Sequence, residues 1–159
     1  MTLCLSILMR DKEVIRREIG ELNLPRIVLQ VFDGFVPHPA LSYRCEEPHK
    51  CLSDGSGFPE HWLPLWECGV VVTAYDKATS TFCKVSLEDI DHPWFRSVDF
   101  DAVVADLLID LWEDEISDAA LAEIAEGFGF ARIEGLIAAL ERGPDGNYEG
   151  WRAALPMDP

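Results

Sequence analysis

Positively charged side chains are scarce in this chain of 159 residues. It has 13 lysines and arginines against 29 aspartates and glutamates, which gives a formal net charge of -16 and a pI near 4.4. A field of this sign repels polyanions, so the composition argues against binding to nucleic acid or to an anionic membrane surface. It suits either a protein with a cationic partner or simply a soluble acidic protein.

The shortage of positive charge is concentrated in the second half of the chain. Residues 1–80 carry eight basic and eleven acidic side chains, a net charge of -3. Residues 81–159 carry five basic and eighteen acidic side chains, a net charge of -13. We therefore expect any role of the acidity to involve the second half.

The sequence also lacks a long apolar run. The run near the N-terminus, residues 3–9, has seven residues, whereas a membrane-spanning helix needs roughly 20. No basic region precedes it, which argues against a signal peptide. The five cysteines show no spacing typical of a disulfide framework, so reduced thiols are expected. Together these features predict a cytoplasmic protein.

Catalytic and cofactor-binding motifs are equally scarce. The sequence has no Gly-x-Ser-x-Gly nucleophile motif and no glycine-rich phosphate-binding motif ahead of a helix. Metal-ligating residue types do gather in one proline-rich stretch: His38, Cys45, His49, Cys51 and His61. Zinc ligands usually occur in closely spaced pairs, and these spacings are too loose. We predict loop and core roles for them, with no metal, cofactor or catalytic residue, and keep a small metal-dependent hydrolase as an alternative.

Hydrophobic periodicity predicts helices at both ends of the chain and strands in its middle. Apolar residues at helical spacing follow five starting points: Asp11, Pro25, Asp99, Ser117 and Phe130. Residues 69–75 and 81–87 predict a β-hairpin. Residues 34–67, with five prolines, predict an irregular but packed segment. The sum is an α+β domain with extra helices near its C-terminus, followed by a tail that packs through Tyr148 and Trp151.

The helix that starts near Asp99 carries an acidic stripe opposite its apolar face. Asp106, Asp110, Glu113 and Asp114 are spaced at i, i+4, i+7 and i+8, and no lysine or arginine lies between positions 96 and 132 to offset them. The stripe lacks the Glu-x-x-His pairs of a di-metal carboxylate site. It predicts either a solvated acidic face or a docking surface for a basic partner, whose association it would accelerate.

The order of the elements between residues 20 and 140 carries a family resemblance. It consists of a helix from Leu24-Pro25 to Asp33-Gly34, the segment Leu63-Pro64-Leu65-Trp66-Glu67, the hairpin Val70 to Leu87, and the start Val98-Asp99-Phe100-Asp101 of the apolar helix Val103 to Trp112. This order resembles the SUKH superfamily, an immunity-protein group related to a fungal cell-wall-synthesis regulator.

The resemblance implies a central, strongly curved sheet, mixed or antiparallel, flanked by helices. It also implies a non-enzymatic role, because many members look like neutralisers of secreted bacterial nuclease or deaminase toxins. On this basis residues 1–143 form one SUKH-like domain and residues 144–159 a C-terminal tail.

The hypothesis is a cytoplasmic immunity protein, a monomer or weak dimer, that binds and occludes a basic protein toxin. Its contact surface is expected to include Asp106, Asp110, Glu113 and Asp114. The alternative is a housekeeping interaction or regulatory module of the same fold, without a toxin partner.

Overall fold

The fold consists of a four-stranded sheet and six α-helices within residues 10–157, the part of the chain that the computed structural model describes. The elements are α1 (Lys12–Gly20), α2 (Arg26–Phe32), a first 3-10 turn (Pro39–Leu41), β1 (Trp62–Cys68), β2 (Val71–Asp76), β3 (Thr81–Ser86), β4 (Phe95–Ser97), α3 (Phe100–Glu113), α4 (Asp118–Gly127), α5 (Ile133–Arg142), α6 (Tyr148–Ala154) and a second 3-10 turn (Leu155–Met157). None of these helices is long and apolar enough to cross a membrane. The apolar run at residues 3–9 lies outside the described residues.

The sheet is an antiparallel meander in the order β1-β2-β3-β4. β-Branched and aromatic residues favour the central hairpin of β2 and β3. β1 falls partly within the segment predicted to be irregular, and it keeps an irregularity between Pro64 and Trp66. A proline has no N–H to donate to a ladder, so it is tolerated at such a point. The predicted α+β class is confirmed, with an antiparallel sheet.

β1 is the strand that the helices cover most completely. Residues 62–67 are all buried, and α1 and α2 both pack on this strand. Because side chains of a strand alternate between faces, burial at successive positions means that both faces are covered. The resulting core includes the fully buried side chains Phe32, Leu65 and Leu108.

The side chain of Glu67 lies inside this core. The Glu67 side chain has no exposed surface, and its carboxylate accepts hydrogen bonds from the backbone N–H groups of His49 at 3.0 Å, Lys50 at 3.3 Å and Cys51 at 2.9 Å. The Glu67 backbone pairs with that of Glu46. Glu67 therefore fastens the loop that precedes β1 to the strand itself.

α3 connects the sheet to the C-terminal helices. Its N-cap Asp99 accepts a hydrogen bond from the Asp101 backbone N–H at 2.9 Å, which satisfies one of the free donors of the first turn. At the other end, the Ile116 N–H bonds to the Leu111 carbonyl at 3.1 Å, and Glu115 adopts a left-handed φ of 63°. This is the hydrogen bond that closes many helices, usually with glycine at the left-handed position.

The segment predicted as a tail contains α6 and the second 3-10 turn. Asn147 caps α6 by accepting a hydrogen bond from the Glu149 backbone N–H at 3.1 Å. The turn packs against α3 and buries Leu155 and Pro156. Trp151 packs partly buried against the core. Residues 148–157 therefore form an ordered cover on α3.

Candidate functional site

Four charged side chains meet where β3, α3 and α6 come together. Lys84 on β3 donates from Nζ to Asp106 Oδ2 at 2.9 Å and to Asp110 Oδ2 at 2.7 Å. The Nη1 of Arg152 on α6 lies 3.1 Å from Asp106 Oδ1, and its Nη2 donates to Asp110 Oδ1 at 2.8 Å. Only 14–17% of each side chain is exposed. We call Lys84, Asp106, Asp110 and Arg152 the charge network.

The helical spacing explains why the two carboxylates of the charge network lie side by side. Residues four apart on a helix are neighbours, one turn from each other, and like charges at this spacing repel. Lys84 reaches them from β3, where it pairs with Phe95 of β4. Arg152 reaches them from α6, on the cover that packs against α3. Each carboxylate thus contacts both cations, which offsets the repulsion.

The electrostatics of the charge network keep both cations protonated. Burial alone would lower the pKa of Lys84, but the charges of Asp106 and Asp110 outweigh it and raise the pKa above its ordinary value of 10.5. The pKa of Arg152 is raised by the same two carboxylates against the same effect of burial. A lysine that stays protonated at neutral pH is neither a general base nor a nucleophile. The charge network is therefore suited to holding elements together.

Two further acidic residues of α3 extend the ion pairs toward solvent. Asp114 accepts two hydrogen bonds of 2.7 Å from Arg44, a bidentate geometry with high directional specificity. Glu113 lies 3.3 Å from Arg152 Nε and accepts a hydrogen bond from the Tyr148 hydroxyl. The side chains of Glu113 and Asp114 are 34% and 36% exposed.

The predicted acidic stripe is therefore not a free acidic face. All four of its residues form ion pairs: Asp106, Asp110, Glu113 and Asp114. The offsetting cations are not near the stripe in sequence, because they come from other elements of the fold. Asp106 and Asp110 are only 15% and 14% exposed, so little of either side chain is open to a partner. Charge reversal at these two positions would consequently test folding rather than association.

The ion pair of Asp114 predicts a dependence of stability on pH. Hydrogen bonds from Arg44 lower the pKa of Asp114 below its ordinary value of 3.8. A carboxyl group of this kind stabilises the fold above its unfolded pKa, and the stabilisation is lost as the pH falls through its lower folded pKa. We expect Asp114→Asn to be less stable than the wild type at pH 7, and the two to converge as the pH falls below 3.8.

Urea unfolding at neutral and acidic pH measures this convergence. Glu115→Gln is the control, because Glu115 is exposed and pairs with no cation among the described residues. The small effect of Glu115→Gln on the free energy of unfolding should not decrease in the same way as the pH falls. A deficit of Asp114→Asn that stays constant into acid would contradict the assignment to the Arg44 ion pair.

A cleft of about 420 Å³ opens beside the charge network, between β4 and residues 148–157. Three large hydrophobic side chains on its lining are unusually exposed: Trp94 at 63%, Tyr148 at 47% and Met157 at 47%. We call this cleft, defined by these three residues, the Trp94 cleft. Exposed apolar side chains that gather at one place are typical of an interaction site. No local sequence pattern indicates this cleft, because Trp94 and Tyr148 are more than fifty residues apart in the chain.

Most acidic side chains outside the stripe lack a cation. Residues 81–157 contain seventeen acidic side chains, of which four form ion pairs with lysine or arginine (Asp106, Asp110, Glu113 and Asp114) and two lie beside a histidine (Asp89 and Glu123). The other eleven pair with no cation within residues 10–157: Glu88, Asp91, Asp99, Asp101, Glu115, Asp118, Glu126, Glu134, Glu141, Asp145 and Glu149. All but Asp101 are exposed. We call these eleven the unpaired carboxylates.

The three histidines of the proline-rich stretch face three different carboxylates. The distances from their ring nitrogens are 3.4 Å for His38 to Glu123, 3.4 Å for His49 to Glu67, and 3.6 Å for His61 to Asp76. His38 also caps the first 3-10 turn, because its Nδ1 accepts from the Ala40 N–H at 3.1 Å. The histidines thus serve separate local contacts.

The two cysteines of the same stretch belong to the core. Cys45 and Cys51 are each 1% exposed, and burial raises the pKa of both thiols. A buried thiol with a raised pKa is a poor nucleophile and a poor metal ligand. Within the described part of the chain, no group of three or more His, Cys, Asp and Glu residues is placed to hold a metal ion.

Comparison of the chain with protein-family models, with curated proteins and with solved structures finds no match in any of the three. The SUKH resemblance therefore stays a prediction from the order of sequence features. Three features of the structure bear on function: the charge network, the Trp94 cleft and the unpaired carboxylates.

Proposed function

We propose that this protein is a non-enzymatic immunity protein that binds and neutralises a basic protein toxin. The observation that carries the proposal is the set of eleven unpaired carboxylates in residues 81–157. No ion pair within the described chain cancels the charge of these eleven side chains. The unpaired carboxylates therefore create a negative field around this half of the protein. The SUKH-like order of elements suggests the class of partner, a nuclease or deaminase toxin.

A toxin that acts on nucleic acid would suit this field. Such a toxin attracts its polyanionic substrate with a positive surface. An acidic inhibitor is steered to the same surface, with association rate constants that reach about 10⁸–10⁹ M⁻¹s⁻¹ at low salt. By covering the surface it would exclude the substrate, and stoichiometric binding alone would neutralise the toxin.

The net charge also bears on the oligomeric state of the protein, and the class of toxin bears on its compartment. A net charge of -16 disfavours association between copies of the chain, so we propose a monomer or weak dimer. We place its action in the cytoplasm, where a nuclease or deaminase toxin meets its substrate.

Affinity purification of the tagged chain from its native cells tests the proposal. We expect one near-stoichiometric basic partner, recovered at low salt and progressively lost as salt rises. Expression of that partner alone should arrest growth, and co-expression with this chain should restore it. A non-toxic partner, or several cytoplasmic proteins in low yield, would instead support the housekeeping module.

Charge variants test electrostatic steering once the partner is known. The double variant Glu88→Gln/Asp91→Asn should slow association several-fold at low salt and leave dissociation nearly unchanged, because exposed charges act mainly on the association rate. The matched control is Glu21→Gln/Asp54→Asn, which removes two exposed charges from the less acidic half. Equal slowing by both double variants in stopped-flow mixing would contradict steering by residues 81–157.

A further inference from the structure

The exposed rim of the Trp94 cleft is held in place by its surroundings. The backbone N–H of Trp94 donates to the Lys84 carbonyl at 2.8 Å, which fixes the backbone of this residue beside β4. On the other side, the Tyr148 hydroxyl bonds to Glu113, and the Tyr148 and Trp151 rings lie 5.5 Å apart. Because the Trp94 backbone and the Tyr148 ring are already held, a partner pays less conformational entropy to order these parts of the rim on binding.

The charges at the floor of the Trp94 cleft neutralise one another. Lys84, Asp106, Asp110 and Arg152 line the cleft, and their two positive and two negative charges balance. Each carboxylate already contacts both cations. A partner would therefore gain affinity from the apolar rim and from charges around it, rather than from the floor.

Three cations and three carboxylates line the Trp94 cleft, but one of the carboxylates pairs with no cation within the described chain. This carboxylate is Glu149, which lines the cleft beside Tyr148 and is exposed. The nearest cation on β4, Arg96, is held by Asp76 at 3.0 Å. A cleft with an exposed indole ring and one unpaired carboxylate suits a guanidinium, which stacks on the ring while the carboxylate balances its charge.

We infer that the Trp94 cleft is the main contact for the basic protein partner. An arginine of the partner lies on the Trp94 ring, and an apolar neighbour of that arginine packs against Tyr148 and Met157. Tryptophan, tyrosine and arginine are the residue types that dominate binding energy at protein interfaces. The inference rests on the proposed function for the basic character of the partner, and it does not require the partner to be a toxin.

A nuclear magnetic resonance titration of the full chain tests this inference directly. The probe is the acetylated and amidated peptide Ala-Arg-Leu-Arg-Ala, compared with the same peptide carrying citrulline in place of arginine. We expect saturable shifts confined to the Trp94 indole and to backbone amides of residues 94–97 and 148–157. The citrulline peptide should bind about three- to tenfold more weakly, as should the arginine peptide to Trp94→Ala.

Phe35→Ala is the matched control, because Phe35 is 57% exposed and does not line the Trp94 cleft. It should leave the affinity unchanged. Shifts spread over the carboxylates of α4 and α5, no shifts at all, or equal affinities for Trp94→Ala and Phe35→Ala would each overturn the inference. Any of these results would count against the Trp94 cleft as the contact but not against a toxic partner recovered by affinity purification. Conversely, failure to find a toxin would not count against a titration localised to the cleft.

Discussion

Replacing Lys84 with methionine is expected to lower the free energy of unfolding by about 3–5 kcal/mol, the usual cost of removing one partner from a buried ion pair. Methionine keeps most of the aliphatic length of lysine, so the change chiefly removes the ammonium group. Asp106 and Asp110, which are 15% and 14% exposed, would then repel each other, with Arg152 as the remaining cation of the charge network and Arg44 at 3.9 Å from Asp110. Desolvated carboxylates without enough positive charge are the source of the expected loss.

Urea denaturation with Lys77→Met as control measures this effect. Lys77 pairs with Glu18 at 3.0 Å, but the two side chains are 38% and 29% exposed, and a solvated pair contributes about 0–1 kcal/mol. Adding Asp106→Asn to Lys84→Met should recover part of the lost stability, because it removes one of the two repelling charges. If Lys84→Met cost no more than Lys77→Met, the charge network would not hold the C-terminal cover to the sheet.

Replacing Glu67 with glutamine is expected to destabilise the fold by roughly 2–4 kcal/mol. The two side chains have nearly the same shape, so no cavity forms. The change removes the charge and converts one acceptor oxygen into a donor that faces the backbone N–H groups of His49, Lys50 and Cys51. At least one of these donors would lose its partner in a fully buried place.

Glu46→Gln is the control for this second variant. Glu46 pairs with Glu67 through the backbone, but its side chain accepts a single hydrogen bond, from the Gly69 N–H at 3.1 Å. We expect a loss of about 1 kcal/mol or less. Hydrogen exchange adds a local readout, since the Cys51 amide should exchange faster in Glu67→Gln. Equal losses from both variants would contradict a special role for the buried carboxylate.

Several elements could be predicted from local pattern alone. The apolar spacing from Phe100 to Trp112 matches α3, and the β-branched run before residue 76 matches β2. Pro64 and its neighbouring prolines are turn signals that predict an irregular stretch, yet β1 forms there because burial by α1 and α2 outweighs that local preference. β4 has three residues, too few for a periodic pattern. Tertiary packing therefore determines that β1 and β4 are strands.

The acidic stripe illustrates which properties of the site follow from local sequence and which depend on the fold. Helical periodicity alone determined that Asp106 and Asp110 share one face of α3, because their spacing of four residues is a local property. Only the tertiary structure decided that Lys84, 22 and 26 residues away, and Arg152, 46 and 42 residues away, would neutralise them. The sequence likewise determined a net charge of -16. The folded chain decided which carboxylates keep their charge unpaired, because ion pairs and clefts depend on distances that chain topology sets.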